Sequence, residues 1–268
     1  MKLPTRTVEK VWGRDVLPAP FAAPDGKRIG EIWFEPPADL PELLVKYIFT
    51  SEKLSVQCHP SDAQTQAKGL GRQGKEECWL VIDAEPGATL GIGFREEIDA
   101  DTMRAAALDG SIEDMLVWRE VAAGDFYYIP ANTVHAIGPG CSIIEVQQNS
   151  EITYRLYDYG RPRELHLEEG VEVADGSPYD MRRHTILPRE GDIALVDGPY
   201  FRLDRVDGVA DEKLLYAYSA PVLVLPLSGE VCISGGDIVR PGECGLAPDL
   251  ASIAFAPDGK ALVAAPVN

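Results

Sequence analysis

At 268 residues the chain is long enough for one large domain or two modest ones. With 45% hydrophobic and 25% charged residues its composition is globular, which excludes disordered and fibrous classes. A formal net charge of −18 offers no basic face to nucleic acid, repels an anionic membrane surface, and requires local cations to hold any anionic ligand.

Strand-like segments bounded by Gly, Pro, Asp or Asn dominate the chain. In order they cover residues 44–49, 54–59, 78–83, 126–129, 142–146, 152–157, 200–206, 221–227, 230–233 and 252–255. Helices are predicted over 61–70, where Ser61 and Asp62 stand in capping positions, over 99–108 behind Asp99, and over 112–117. Many short strands, with 25 Gly and 21 Pro between and around them, predict a mainly β fold of the jelly-roll sandwich or barrel type with a few short helices. Composition shifts near residues 170–190, which divides the chain into residues 1–170 and a second, smaller jelly-roll-like unit over 171–268. The first unit holds three of the four histidines and nearly every polar cluster, so the chemistry is expected there. The five cysteines (Cys58, Cys78, Cys141, Cys232 and Cys244) are scattered and never form a C-x-x-C pair, which argues against a disulfide framework or a cysteine zinc cluster. The N-terminal residues lack the apolar core of a signal peptide, and the longest apolar stretch, 221–227, is too short to span a bilayer. A cytoplasmic location is expected, with no membrane or nucleic-acid partner and no obligatory protein partner.

Three segments carry the candidate chemistry. In Leu54-Ser55-Val56-Gln57-Cys58-His59-Pro60, strand alternation puts Leu54, Val56 and Cys58 on one face and Ser55, Gln57 and His59 on the other. The second set places an amide oxygen and an imidazole side by side, although a histidine on a strand also suits a structural role. In Gly74-Lys75-Glu76-Glu77-Cys78-Trp79, Glu77 enters an apolar strand, where a carboxylate must be paired or metal-bound unless it sits at an exposed strand end. In Gly124–Gly140, two turns flank residues 126–129, Asn132 suits a positive φ, and His135 opens the next strand. Gln57, His59, Glu77 and His135 together supply one amide oxygen, two imidazoles and one carboxylate, a set that suits a divalent cation such as zinc with an open position. Downstream, Ile143, Glu145 and Gln147 share one strand face, and Arg155 suits either a phosphate clamp or a surface ion pair.

These residues resemble the type I mannose-6-phosphate isomerases in their short bacterial form, a family of the cupin superfamily. Leu54–Asp62 resembles the family's L-S-[VI]-Q-x-H-P-x-[DK] segment, Gly74–Trp79 its G-K-x-E-x-W turn, Ile129–Ala136 its [IV]-P-A-G-x-[VI]-H-A strand, and Thr153–Arg161 its arginine-bearing segment. Gly30–Trp33 and Leu43–Lys46 also fit, so the likeness spans roughly residues 10–170. The resemblance implies a cupin-type barrel and a zinc enzyme, one ion per chain, that interconverts the sugar phosphates mannose 6-phosphate and fructose 6-phosphate through an enediolate. It further implies Gln57, His59, Glu77 and His135 as zinc ligands, Lys75, Glu145 and Arg155 as active-site residues, and Lys46 and Ser55 as the substrate-cleft lining. Either Glu145 or Lys75 suits the proton-transfer base. Two departures stand out: Asn132 replaces the usual glycine, and Glu76 replaces threonine or proline, which is expected to add negative charge near the metal.

Two rivals follow from the same residues. One is a non-catalytic cupin that binds a sugar phosphate, against which Lys75, Glu145 and Arg155 all speak. The other is an iron dioxygenase, which usually carries His-x-His where this chain has Gln57 and His59. His166 and His184 read as ordinary surface or loop histidines.

Overall fold

The structure, a computed structural model, describes residues 1–267. Antiparallel pairing builds four sheets. The first runs Thr5–Arg14, Ile29–Phe34, Leu43–Phe49, Cys141–Gln148, Glu77–Ala84, Asp125–Ile129, His184–Ile186. The second runs Tyr154–Tyr157, Val56–Cys58, His135–Ile137, Thr89–Phe94, Leu116–Glu120. A third sheet joins Ile193–Asp197, Phe201–Asp207, Lys260–Pro266, Val222–Ser228 and Gly245–Ala247, and a fourth joins Asp237–Val239, Val231–Ile233 and Ile253–Phe255.

Alternation along the central strands explains how these sheets stack. On Glu77–Ala84, Trp79 and Val81 pack with Leu90, Ile92, Ile137 and Ile143, between the first and second sheets. Cys78 and Leu80 point the other way and meet Leu203, Leu223, Leu225 and Leu262 of the third sheet. Val45, Tyr47, Phe49, Ile144 and Val146 join that same core. The central strands of the first sheet are therefore buried on both faces, and all seven residues of Leu43–Phe49 are buried. The outer face of the second sheet is covered by helices, with Met103, Ala106, Val171 and Val173 packed on Val56, Val134 and Leu156. The N-terminus closes onto the third sheet, where Leu3 N–H donates to Cys244 O at 2.8 Å and Leu246 N–H donates to Met1 O at 2.8 Å.

The mainly β organisation expected from the sequence is what the chain adopts, and the paired antiparallel sheets are consistent with a cupin-type barrel. Local signals shape the short helices. Ser61 and Gln64 form a capping box that starts Asp62–Ala67, and Asp99 accepts from Thr102 N–H at the start of Ala100–Asp109. The helix expected over 112–117 stops at Met115, because Leu116 and Val117 enter the strand Leu116–Glu120. The strand expected over 54–59 is regular only over Val56–Cys58; Leu54 lies outside it and turns into the core with Trp79. Sheet membership changes hands between His184–Ile186, which still pairs with the first sheet, and Ile193–Asp197, which opens the third.

Candidate active site

Three strand ends bring His59, Glu77 and His135 together between the first two sheets. Gln57 pairs with His135 in the strand register, His59 follows Val56–Cys58, and Glu77 opens its strand. One ligand atom from each of His59, Glu77 and His135 lies within 4.8 Å of the other two, and all three residues are buried. His135 Nε2 is 3.3 Å from Glu77 Oε1, and His59 Nε2 is 3.6 Å from Glu77 Oε2. Both Nδ1 atoms are occupied elsewhere: His59 donates to Ile152 O and His135 to Thr133 O, each at 2.9 Å. Those bonds fix the tautomer that leaves each Nε2 lone pair facing the carboxylate. Burial, assisted by the Lys75 ammonium, lowers both imidazole pKa values, His59 well below its ordinary value and His135 to about 4, so both rings are neutral.

Glu77 is 1% exposed, which removes the reading of an exposed strand end. Burial pushes its carboxyl up to about 7, against the pull of Lys75. Neither of its oxygens accepts a well-aligned hydrogen bond among the described residues, although Lys75 Nζ lies 2.5 Å from Oε2. The same ammonium is 3.2 Å from His59 Nε2, so one cation sits against two of the three converging groups. Gln57 completes the group with its amide nitrogen, 3.4 Å from His135 Nε2, while its oxygen accepts from the Ser55 hydroxyl at 3.0 Å.

The loop carrying Lys75 and Glu77 is held at three consecutive amides. Gly74 N–H donates to Asp62 Oδ1 at 2.7 Å, Lys75 N–H to Pro60 O at 3.0 Å, and Glu76 N–H to Gln148 Oε1 at 2.9 Å. Gln148 Nε2 in turn donates to Asp62 Oδ1 at 3.0 Å, which ties the two anchors together. A Cβ at position 74 would stand 2.3 Å from Pro60 O, so glycine is required by that close approach. On the other side Asn132 takes φ 73°, as its position in the turn predicted, and its amide donates to His59 O at 3.2 Å.

Beside this cluster opens a cavity of about 370 Å³ lined by Ser55, Gln57, Lys46, Lys75, Glu145 and Arg155, among others. Glu145 Oε1 accepts from Lys46 Nζ at 3.1 Å and lies 4.0 Å from Lys75 Nζ, and Oε2 accepts from Trp79 Nε1 at 3.0 Å. Burial raises the Glu145 pKa, but Lys46 and Lys75 outweigh it and hold the carboxyl at about 2. Lys46 also donates to Gln147 Oε1 at 2.6 Å and stacks over the Trp33 ring at 4.4 Å. Arg155, half-buried, pairs in register with Gln57 and donates from Nη1 to Glu164 O at 2.7 Å, with no carboxylate partner among the described residues. All nine residues singled out from the sequence thus fall in one connected cluster and its cavity.

Two expectations are corrected. Glu76 adds no charge beside the cluster: it faces the third sheet, and its Oε2 accepts from the Tyr128 hydroxyl at 2.6 Å. His166 is not an idle loop residue but lines the cavity, drawn there by His166 N–H donating to Arg155 O at 2.8 Å and Arg155 N–H donating to its Nδ1 at 3.2 Å. His184 does prove structural, with Nε2 2.8 Å from Asp125 Oδ1 and its ring against Tyr127. Lys10, Trp12, Trp33 and Arg163 also line the cavity and were not singled out. The alternation Lys10, Trp12 on the first strand was the available signal; Arg163 sits in a loop where no periodicity marks it.

No protein-family model matches the chain. It is 34% identical over 219 residues to mannose-6-phosphate isomerase ManA of Bacillus subtilis, covering 76% of this chain and 67% of that protein. It is 41% identical over 137 residues to mannose-6-phosphate isomerase of Streptococcus mutans, covering 49% of this chain and 43% of that protein. In fold it resembles the crystal structure of the Bacillus subtilis mannose 6-phosphate isomerase, with TM-score 0.77, 24% identity and 98% of each chain covered. Phosphomannose isomerase from Salmonella typhimurium shares the fold at TM-score 0.72 and 13% identity, covering 99% of both chains. Identity at this level across two thirds of a curated relative's length places the chain in the mannose-6-phosphate isomerase family, whose members are aldose–ketose isomerases.

Proposed function

We propose that the chain is a zinc-dependent isomerase that interconverts mannose 6-phosphate and fructose 6-phosphate through an enediolate, with the first unit, residues 1–170, carrying the chemistry. The observation that carries this reading is the buried convergence of His59, Glu77 and His135 at the wall of a cavity rich in cations. The donor set fits a divalent ion: two neutral imidazoles whose Nε2 lone pairs face a carboxylate, that carboxylate with only the Lys75 ammonium against it, and Gln57, whose amide offers its oxygen once turned over. Zinc bound there supplies Lewis-acid stabilisation of negative charge on the substrate oxygens.

The chain's own residues do the rest. Isomerisation moves a proton between C1 and C2, and with Glu77 committed to the metal, Glu145 and Lys75 are the two groups at the cavity wall that suit this transfer. Lys75 and Lys46 neutralise Glu145 and face the developing charge. Ser55 fixes the Gln57 amide, and Arg155 opposes the negative charge of the substrate. Five cations (Lys10, Lys46, Lys75, Arg155 and Arg163) line the cavity against three carboxylates (Glu31, Glu145 and Glu151), which locally reverses the strongly negative charge of the chain.

A coupled-enzyme assay for fructose 6-phosphate formed from mannose 6-phosphate tests the reading; metal-loaded protein without turnover would leave only a sugar-phosphate-binding cupin. Arg155→Ala is expected to lower kcat/KM by about a hundredfold or more while zinc content stays at the wild-type level. The three-amide anchor gives a milder expectation. Gln148→Leu leaves the Glu76 N–H without its acceptor and loosens the loop bearing Lys75, so kcat should fall by about tenfold to a hundredfold with KM nearly unchanged. A wild-type kcat in that variant would show that the anchor has no bearing on the chemistry.

A further inference from the structure

The wall of the cavity around Arg155 is built with more care than one arginine needs. Asp158 is 1% exposed, and its two oxygens receive Arg163 in a fork, from Nε at 2.5 Å and from Nη2 at 2.6 Å. That fork fixes the guanidinium plane and leaves Arg163 Nη1 with no acceptor among the described residues. The neighbouring Arg161 is spent differently: Nη1 donates to Lys53 O at 2.8 Å and Nη2 to Glu52 Oε2 at 3.1 Å, and it does not line the cavity. Arg155 stands close enough to Arg163 for the two cations to repel, and its buried Nε has no acceptor. His166 accepts the Arg155 N–H at Nδ1, so its neutral ring carries the proton on Nε2 as a third donor.

A single carboxylate, Asp158, serves two guanidiniums of this loop, while Arg155 has none of its own. Like charges held side by side, with unpaired N–H groups at a cavity wall, mark a place prepared for an anion with several oxygens. Arg155 pairs in register with Gln57, which pairs on its other side with His135, so this wall lies one strand beyond the cluster of His59, Glu77 and His135. We infer that Arg163 and His166, together with Arg155, form the subsite for the phosphate group of the substrate, with Asp158 as the positioning residue that aims Arg163. This rests on the isomerase reading for the identity of the substrate, but the anion subsite is tested separately from turnover.

The test titrates the zinc-loaded protein with inorganic phosphate by calorimetry and, in parallel, measures steady-state kinetics with mannose 6-phosphate. Arg163→Gln, which keeps an amide against Asp158, is expected to raise the phosphate Kd and the KM for mannose 6-phosphate by about tenfold or more, with kcat within about threefold of wild type. Asp158→Asn should raise the same KM by a smaller factor and leave kcat unmoved, a split that general loss of folding would not give. His166→Leu provides the decision if Arg163→Gln proves insoluble, with an expected rise of about threefold to tenfold in phosphate Kd. Phosphate affinity and KM unchanged in the Arg163 and His166 variants would overturn the subsite. Phosphate binding that depends on Arg163 in a protein unable to convert mannose 6-phosphate would instead overturn the isomerase reading and leave the subsite standing.

Discussion

Replacing His135 by alanine is expected to abolish zinc binding and lower turnover of mannose 6-phosphate by about a thousandfold or more, the scale of losing several kcal/mol of Lewis-acid stabilisation. The geometry is specific about why. His135 Nε2 faces Glu77 Oε1 at 3.3 Å, and its Nδ1 is tied to Thr133 O, so no other atom of the ring or its neighbours can take its place. The fold should survive, because Trp79, whose ring meets the imidazole edge-on at 5.2 Å, is also held by Val81, Ile137 and Ile143 in the surrounding core. Zinc content by mass spectrometry, read beside the coupled assay and a far-ultraviolet spectrum, checks the expectation, and a chelator acting on the wild-type protein should reproduce it. Full turnover in a metal-free variant would remove the metal from the chemistry altogether.

Lys75→Met should separate turnover from metal binding. Its ammonium lies 2.5 Å from Glu77 Oε2 and 3.2 Å from His59 Nε2, so it competes with a divalent ion for the same two groups. It also lies 4.0 Å from Glu145 Oε1, where it supports the carboxylate that Lys46 alone would otherwise neutralise. Removing it is expected to leave zinc content at or above the wild-type level, while kcat falls by about a hundredfold or more. A variant that loses metal and activity in parallel would mark Lys75 as a scaffold for the ligands rather than a participant.

The cluster was legible in the sequence because its members sit where local rules are strongest. Gln57 alternates with Val56 and Cys58, Glu77 opens an apolar strand, and Asn132 fills a position that demands positive φ. Glu145 and Gln147 share a face for the same reason, opposite Ile144 and Val146 in the neighbouring core. Where the sequence misled, the cause was tertiary. Glu76 is adjacent to Glu77, yet its carboxylate goes to Tyr128 on the far side of the sheet. Arg163 and His166 reach the cavity through a loop folded back by paired hydrogen bonds to Arg155, which no periodicity records. The helix Leu167–Val173 escaped notice because Val171 and Val173 favour strands, and it is stabilised by seating Gly170 against Leu156. The strand Lys260–Pro266 pairs on both edges within the third sheet, a role set by partners far off in the chain.

The double-sided burial of the first sheet also constrains how such a chain can change over evolutionary time. Tyr47, Cys78, Ile144 and Val146 lean on residues more than fifty positions later in the chain, while Lys46, Glu77 and Glu145 occupy the opposite side of the same strands. A bulkier leucine or a lost methyl group in the trailing sheet therefore shifts the backbone from which the chemical groups hang. Drift in the tail has to be matched by compensating drift at the rear of the active strands, so the two halves are expected to vary as a coupled pair rather than as interchangeable modules.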